Sequence, residues 1–471
     1  MRIDARSLAK GMSITVFAML GAQTLAQDAP VSRQERWRFL SPATEVSSDP
    51  RRVPVEPGKA GPSGSLVLRG GRIFDGTGAP ARPGTLVIVR NKIAKVLEPA
   101  AVGWPADARV VDVSGKTVLP GLIDLHTHIT YPAADDSREL ADSMSEATLR
   151  GVDHLRYFIE SGITSIRDVA SKGEVPFLLK AWVGRNRLPG PRVFAAGQLI
   201  TGLGGHGDGG GDNLNDRAEG DIYVASGPDG WREAVRAQFK RGADLIKIAS
   251  HFSREEVSAA VEEAHALGLK VTCDCETFYI QWAVEAGVDM IEHPLPRTEE
   301  TIRLMKQKGV SSDPTLLTYI IIFNRFGNYY DSTSRRFTFS EADNLEVARR
   351  MRRAGIPMGV GTDLIENWYQ TLPTSYIAEL EQFVKFGYTV PQALVAATRT
   401  SAELLDMGDR LGTLEPGKLA DITIVSGRPD ENLQDLAKVD MVIRDGYVQV
   451  EQGRLFIARH EPIPLPQPGA R

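Results

Sequence analysis

The chain has 471 residues, of which 42% are hydrophobic and 24% charged, and a formal net charge of −5. That length exceeds one ordinary core and accommodates a barrel with a satellite domain, and the composition is that of a globular protein. The acidic balance argues against a nucleic-acid partner, because no basic excess is present to displace phosphate counterions.

Residues 1–26 read as a signal peptide. Arg2, Arg6 and Lys10 give a positive start, residues 11–22 an apolar stretch, and residues 24–26 a small-residue cleavage site. The apolar stretch is too short to cross a bilayer, and no other segment is a membrane-span candidate. The mature protein is therefore expected to be periplasmic or secreted, without stable membrane insertion. Residues 27–64, rich in Pro, Arg, Ser and Glu, read as an arm or linker.

Residues 65–118 carry short β-branched runs (LVLRGGRIF, TLVIVRNKIAKVL, ARVVDVSGKTVL) between turn signals, a pattern that predicts antiparallel sheet. The same texture returns at residues 407–459, where Asp445-Gly446 marks a hairpin. Neither group has strands enough to bury its own face, so one β-sandwich built from both ends of the chain is predicted. Residues 460–471 form a tail.

Between these ends, residues 119–406 alternate apolar strands with amphipathic, helix-length segments. The strand candidates are LIDLHTH, GITSIRDVA, RVFAAG, ADLIKIAS, LKVTCDC, VDMIEH, VSSDPTL and IPMGVGTD, with helices such as SREEVSAAVEEAHALG and TFYIQWAVEAG between them. Eight strand–helix units in about 280 residues predict an α/β fold of the (β/α)8 TIM-barrel type. An open doubly wound sheet is the alternative, with its chemistry at one crevice.

In such a barrel every strand's C-terminal end opens on one face, so residues distant in sequence converge there. Those ends carry His126 and His128, Lys247, Asp274, His293 and Asp363. His126 and His128 alternate along a strand and point the same way, which makes half of a metal site. Lys247 lies in an otherwise apolar run, where burial lowers an ammonium's pKa. The neutral amine can then add carbon dioxide to give a carbamate, an anionic ligand able to bridge two cations. A lysine simply paired with a carboxylate is the plainer reading. Asp363 either caps the following helix or binds a cation and takes a proton from water.

The only cysteines, Cys273 and Cys275, flank Asp274 and supply no disulfide framework. One residue apart on a strand, they are not expected to bridge each other. The Gly-rich run TGLGGHGDGGGD at residues 201–212 lacks the Gly-Lys-Ser/Thr ending of a phosphate loop. It is read either as a flexible lid or as the carrier of a substrate contact, His206. Tyr279 and Glu276 are further pocket candidates, and His251 a weaker one.

The order VLPGLIDLHTH, GADLIKI, IEHP, GVGTD and LEPGKLADITIV resembles the amidohydrolase superfamily, in its prolidase-like and imidazolonepropionase-like branch, over residues 65–453. The resemblance implies a metal-dependent barrel with a composite β-sandwich. It assigns one divalent metal, most simply zinc, to His126, His128 and Asp363. Lys247, N6-carboxylated, bridges to a second metal held by His293. Asp363 serves as the catalytic base. Where the branch has a fifth-strand histidine this chain has Asp274, which leaves three readings open: a carboxylate ligand, a vacant second site, or a one-residue register shift that aims the two cysteines inward.

The implied activity is hydrolysis of an amide bond in a small substrate such as an Xaa-Pro dipeptide or an N-acyl amino acid. A cyclic-amide or lactone hydrolase, or a deaminase, is the alternative within the superfamily; a non-catalytic binding protein on a degenerate barrel is the alternative outside it. A homo-oligomer is compatible with the family, although no interface stripe is legible.

Overall fold

The computed structural model describes residues 59–131, 143–208, 220–326, 329–331, 336–338 and 340–457. The signal-like residues 1–26, residues 27–58 of the arm and the tail at 460–471 lie outside the described residues. The first strands are β1 (Ser65–Ile73), β2 (Arg82–Val89), β3 (Lys92–Leu97), β4 (Arg109–Asp112) and β5 (Lys116–Pro120). β1, β2 and β3 form the predicted antiparallel meander. β4 and β5 depart from it and run parallel to β1, with Leu66 opposite Arg109 and Arg72 opposite Thr117. The reason is a crossover at residues 98–108, which returns the chain to β1 in the same direction rather than by a hairpin.

Strands and helices then alternate: β6 (Leu122–Thr127), α1 (Met144–Glu160), β7 (Ile163–Asp168), α2 (Val175–Gly184), β8 (Arg192–Ala195), β9 (Leu199–Gly202) and β10 (Ile222–Ala225). α3 (Gly227–Arg241), β11 (Leu245–Ala249), α4 (Arg254–Ala266), β12 (Lys270–Asp274), α5 (Thr277–Ala286), β13 (Met290–Glu292) and α6 (Glu299–Lys308) continue the pattern. It ends with β14 (Ser311–Asp313), α7 (Leu316–Phe326), a small hairpin of β15 (Tyr329–Asp331) and β16 (Arg336–Thr338), then α8 (Glu341–Ala354) and α9 (Thr374–Lys385).

Local chemistry sets these boundaries. Ser143, Ser253 and Ser340 each accept from the backbone N–H three residues on, and the side chains of Glu146, Glu256 and Asp343 reach back in reciprocal capping boxes. Gly242, Gly287, Gly309 and Gly355 end their helices in the left-handed conformation. On α4, Val257, Ala260, Val261 and Ala264 recur at helical spacing and face the core.

The inner strands form two parallel ladders, β6–β7–β8 and β10–β9–β11–β12–β13–β14, not one continuous sheet. Single backbone hydrogen bonds link them. Asp244 N donates to Ala195 O (2.9 Å) on one side; on the other, Ser312 N donates to Pro357 O (3.0 Å) and Leu125 N to Val360 O (2.8 Å). IPMGVGTD, predicted as a strand, makes no continuous ladder: Ser312 bridges Met358, Thr127 bridges Leu364 just beyond it, and backbone bonds such as Asp363 N to His126 O (2.9 Å) hold the rest. Its glycines explain the close approach: a Cβ on Gly359 would lie 2.3 Å from Leu125, and one on Gly361 2.6 Å from Asp313. β9 and β10 form an extra pair beside β11 that the sequence pattern did not separate from the Gly-rich run.

β17 (Ile422–Ser426), β18 (Val439–Arg444), β19 (Tyr447–Glu451) and β20 (Arg454–Leu455) close the chain. β17 pairs antiparallel with β5, so strands from both ends make one nine-stranded sheet. The sheet curls until Lys92 bridges Leu419, enclosing Leu68, Leu86, Ile88, Val118, Ile422 and Ile443. Asp445 and Gly446, with φ of 51° and 77°, form the predicted two-residue turn between β18 and β19.

Arg192 of β8 ties the inner strands to this sheet through the carboxylate of Asp421, at 3.1 and 3.0 Å. Asp421 also accepts from Asp445 N at 2.7 Å. Both side chains are buried, so removing one leaves an uncompensated charge. Asp421→Ala is expected to lower the unfolding free energy by about 3–5 kcal/mol. A urea midpoint within error of the parent protein's would refute this coupling.

Candidate metal centre

Most of the predicted side chains meet at the C-terminal ends of the parallel strands. His126 and His128 leave the end of β6 on one side, as alternation requires. Asp363 follows them, placed by its own N–H, which donates to His126 O at 2.9 Å. Asp363 Oδ1 lies 3.2 Å from His128 Nε2 and 3.4 Å from His126 Nε2. Lys247 of β11 brings Nζ to 3.4 Å from His126 Nε2 and 3.7 Å from Asp274 Oδ2. His293 completes the group, with Nε2 3.1 Å from Asp274 Oδ2 and Nδ1 3.8 Å from Asp363 Oδ2. His293 and Asp363 hold left-handed φ values of 63° and 52°, strain of the kind that gathers at functional sites.

The backbone and buried acids fix the imidazoles. His126 Nδ1 faces Glu292 Oε2 at 2.8 Å, and His128 Nδ1 faces Ala170 O at 3.1 Å. With Nδ1 donating in each ring, both Nε2 atoms present lone pairs. Two lone pairs then oppose a carboxylate oxygen within 3.4 Å, an arrangement that a positive charge between them satisfies. The set His126, His293 and Asp363 offers ligand atoms within 4.8 Å of one another. Two neutral imidazoles and a carboxylate suit a divalent cation of the zinc type.

Electrostatics keep these donors in ligand form. Burial holds His126 well below its usual range and lowers His293 to about 4. Burial also lowers Lys247 to about 8, so its amine is far more often neutral than an exposed lysine's. Asp363 behaves oppositely: burial pushes its carboxyl up, but His126, His128 and His293 around it hold it well below the usual carboxylate range.

Three buried residues that sequence reasoning missed support the centre. Arg167 Nη2 lies 2.8 Å from both Glu292 oxygens and 3.1 Å from Asp313 Oδ2. Thr272 Oγ1 also donates to Glu292. His126, Glu292 and Asp313 group closely enough to hold an ion, but the Arg167 guanidinium already supplies the positive charge there. Burial and the Glu292 carboxylate keep Asp313 protonated well above its usual range, while Arg167, Lys247 and His126 keep Glu292 ionised despite its burial. The only signal for them was an ionisable residue within a strand candidate, and Glu292 alone stands one step before a residue read at a strand end, His293.

Asp274 points into the centre, with His206 Nε2 3.5 Å from its Oδ2. Cys273 and Cys275, on the opposite side of the strand, are buried in the apolar core and do not face the metal position. Contrary to expectation they are joined as a disulfide. Both side chains lie on one side of the strand end, with Cα atoms 5.3 Å apart, inside the usual range for a bridge. Tyr279 is a second correction. It sits on the first turn of α5 against Phe278, Trp282 and Phe252, turned away from the cavity over the centre. That cavity, of about 150 Å³, is lined instead by Tyr131, Leu199, Tyr319 and Ile365 together with His206 and the predicted ligands other than His126. Glu276 is buried and accepts from Ser250 Oγ.

The amidohydrolase family model matches residues 117–448. The chain belongs to the amidohydrolase family. It is 26% identical to an ochratoxinase from Aspergillus niger over 440 residues, covering 83% of this chain and 87% of that protein. It is also similar to the imidazolonepropionase of Symbiobacterium thermophilum, at 24% identity over 84% of this chain and 95% of the relative. Among solved structures, an Xaa-Pro dipeptidase with methionine bound in its active site aligns with a TM-score of 0.72 and 27% identity, covering 82% and 99% of the two chains. The protein is thus a hydrolase of carbon–nitrogen bonds, and the reading as a non-catalytic binding protein falls away. No helix among the described residues is long and apolar enough to cross a membrane.

Glu292 orients His126 without touching the metal position. Glu292→Gln, which keeps the shape and one acceptor oxygen, is expected to weaken divalent-metal affinity about 10–100-fold. Chelator competition on the folded variant measures this, and parental affinity would remove the orienting role.

Proposed function

We propose that this amidohydrolase cleaves the amide bond of a small substrate, an Xaa-Pro dipeptide or an N-acyl amino acid, on a (β/α)8 barrel carrying a composite β-sandwich. The observation that carries the reading is the convergence of His126, His128, Lys247, Asp274, His293 and Asp363 beneath one small cavity. His126, His128 and Asp363 would hold one divalent cation; His293 and Asp274 would hold a second, with Lys247, as its carbamate, between them. Bound there, divalent cations supply Lewis acidity, lowering the pKa of water and polarising the scissile carbonyl.

The protein's own groups do the rest. Asp363, held ionised by positive charge among the imidazoles around it, takes the proton of the attacking water and passes it to the departing nitrogen. Leu199, Tyr319 and Ile365 give the substrate side chain apolar walls, while Tyr131 stacks on His128 at 4.3 Å and limits its motion. Formation of the Lys247 carbamate joins the neutral amine to carbon dioxide and releases one proton, which the lowered lysine pKa favours. The leader-like residues 1–26 support export to the periplasm.

Metal analysis of the purified protein, followed by hydrolysis assays on Xaa-Pro dipeptides, N-acyl amino acids and lactones, tests the assignment. Turnover confined to lactones would replace it with a cyclic-ester reading. On the substrate so found, Asp363→Asn is expected to lower kcat by about 10²–10⁴-fold with the fold intact; parental kcat would exclude Asp363 as the base. Lys247→Ala is expected to lose metal and activity and to recover part of both with added short carboxylic acids. Unchanged metal content would eliminate the bridging role.

A further inference from the structure

Asp274 occupies the position where the family resemblance calls for an imidazole, and three nitrogens surround its Oδ2. They are His293 Nε2 at 3.1 Å, His206 Nε2 at 3.5 Å and Lys247 Nζ at 3.7 Å. His206 is thus within ligand reach of the same point as the two groups already assigned to the second cation.

The segment that delivers it is no floppy lid over residues 201–208. Gly205 N donates to Gly202 O at 2.9 Å and Asp208 N to Gly205 O at 3.0 Å, while the buried Asp208 accepts from Gly204 N at 2.7 Å. Thr201 Oγ1 anchors the start by donating to Ser250 O at 2.9 Å, one strand away. Side chains are excluded from the turn: a Cβ on Gly202 would fall 1.6 Å from His251 O, and one on Gly205 2.2 Å from Thr201 Oγ1. Gly204 and Gly207 hold φ of 72° and 82°. The glycines therefore serve to wind the chain tightly enough to bring one imidazole down onto Asp274.

The geometry points to His206 as a ligand of the second cation, replacing from the β9 loop the imidazole that the fifth strand lacks. With His293 and Asp274 it makes a two-nitrogen, one-oxygen set that selects a zinc-like divalent ion over magnesium or calcium. This rests on the metal-centre reading above and deepens it. It also changes the expected chemistry of the site: the anionic Asp274 no longer has to hold the second cation with only one neutral partner.

The test is titration of the metal-depleted full chain with Zn²⁺ against a competing chelator, and with Co²⁺ followed by its visible absorption. The unaltered protein is expected to take up two cations. His206→Ala and His206→Asn are each expected to keep the tighter cation and to weaken the other by more than about tenfold, since loss of even an outer hydrogen-bond partner has effects of that size. The Co²⁺ spectrum of the weaker site should change, while circular dichroism of the metal-free form stays the same. Retention of both cations at parental affinity, with only KM raised, would make His206 a substrate contact and overturn the proposal. Loss of both cations from both variants, or uptake of a single cation by the unaltered protein, would overturn it too. If the unaltered protein takes up no divalent cation, the metal-centre reading itself fails, a result separate from the others.

Discussion

His126 is gripped from both sides by acid: Glu292 meets Nδ1 and Asp363 faces Nε2. Everything else in the centre depends on that double contact. The imidazole is buried and neutral, so its orientation is decided by which carboxylate takes the N–H. Glu292 takes it because its Oε2 lies 2.8 Å from Nδ1 while Asp363 stands 3.4 Å from Nε2, and Arg167 keeps Glu292 ionised beside a protonated Asp313 so that one guanidinium balances one negative charge. A layer of compensated charge beneath the strand ends thereby fixes the tautomer of His126 above it.

Asp274 alters the charge count at the upper level. A histidine there would be neutral, whereas Asp274 adds an anion to a site that already holds Asp363, with His293 between the two. Two carboxylates in one buried site repel unless positive charge lies between them. Asp274 therefore strengthens the demand for positive charge at this site rather than relaxing it. It also favours ions that accept oxygen donors alongside nitrogen.

How much was legible in the sequence followed from where each residue sits on its strand. His126 and His128 announced themselves by alternation, and Lys247 by standing alone in an apolar run; Asp363 and His293 came from the ends of their segments. Glu292, Asp313 and Arg167 lie one layer below the rim, where an ionisable residue looks like any structural ion pair until its partners are seen. Tyr279 was misjudged because closeness to Asp274 in sequence ignores the turn of α5, which swings the ring into an aromatic cluster. The meander of β1 to β3 was readable from its hairpins, but the parallel pairing of β4 and β5 was not, since a crossover leaves no local signature.

The segment that follows the last helix before Asp363 shows how closely fold and chemistry are joined. Residues 357–363 form no regular ladder, yet Leu125 N reaches Val360 O and Asp363 N reaches His126 O. Asp124 reinforces the seam, accepting from Thr362 N at 2.9 Å, from Thr362 Oγ1 at 2.6 Å and from His126 N at 3.1 Å. The bonds that attach this segment to β6 are therefore the same ones that set the distance between Asp363 and the two imidazoles. Gly359 and Gly361 admit the segment, because a side chain at either would strike Leu125 or His126. A chain that failed to make this seam would lose the placement of Asp363 against both imidazoles, and the left-handed φ of Asp363 is a strain the seam can sustain because so many buried bonds converge on it.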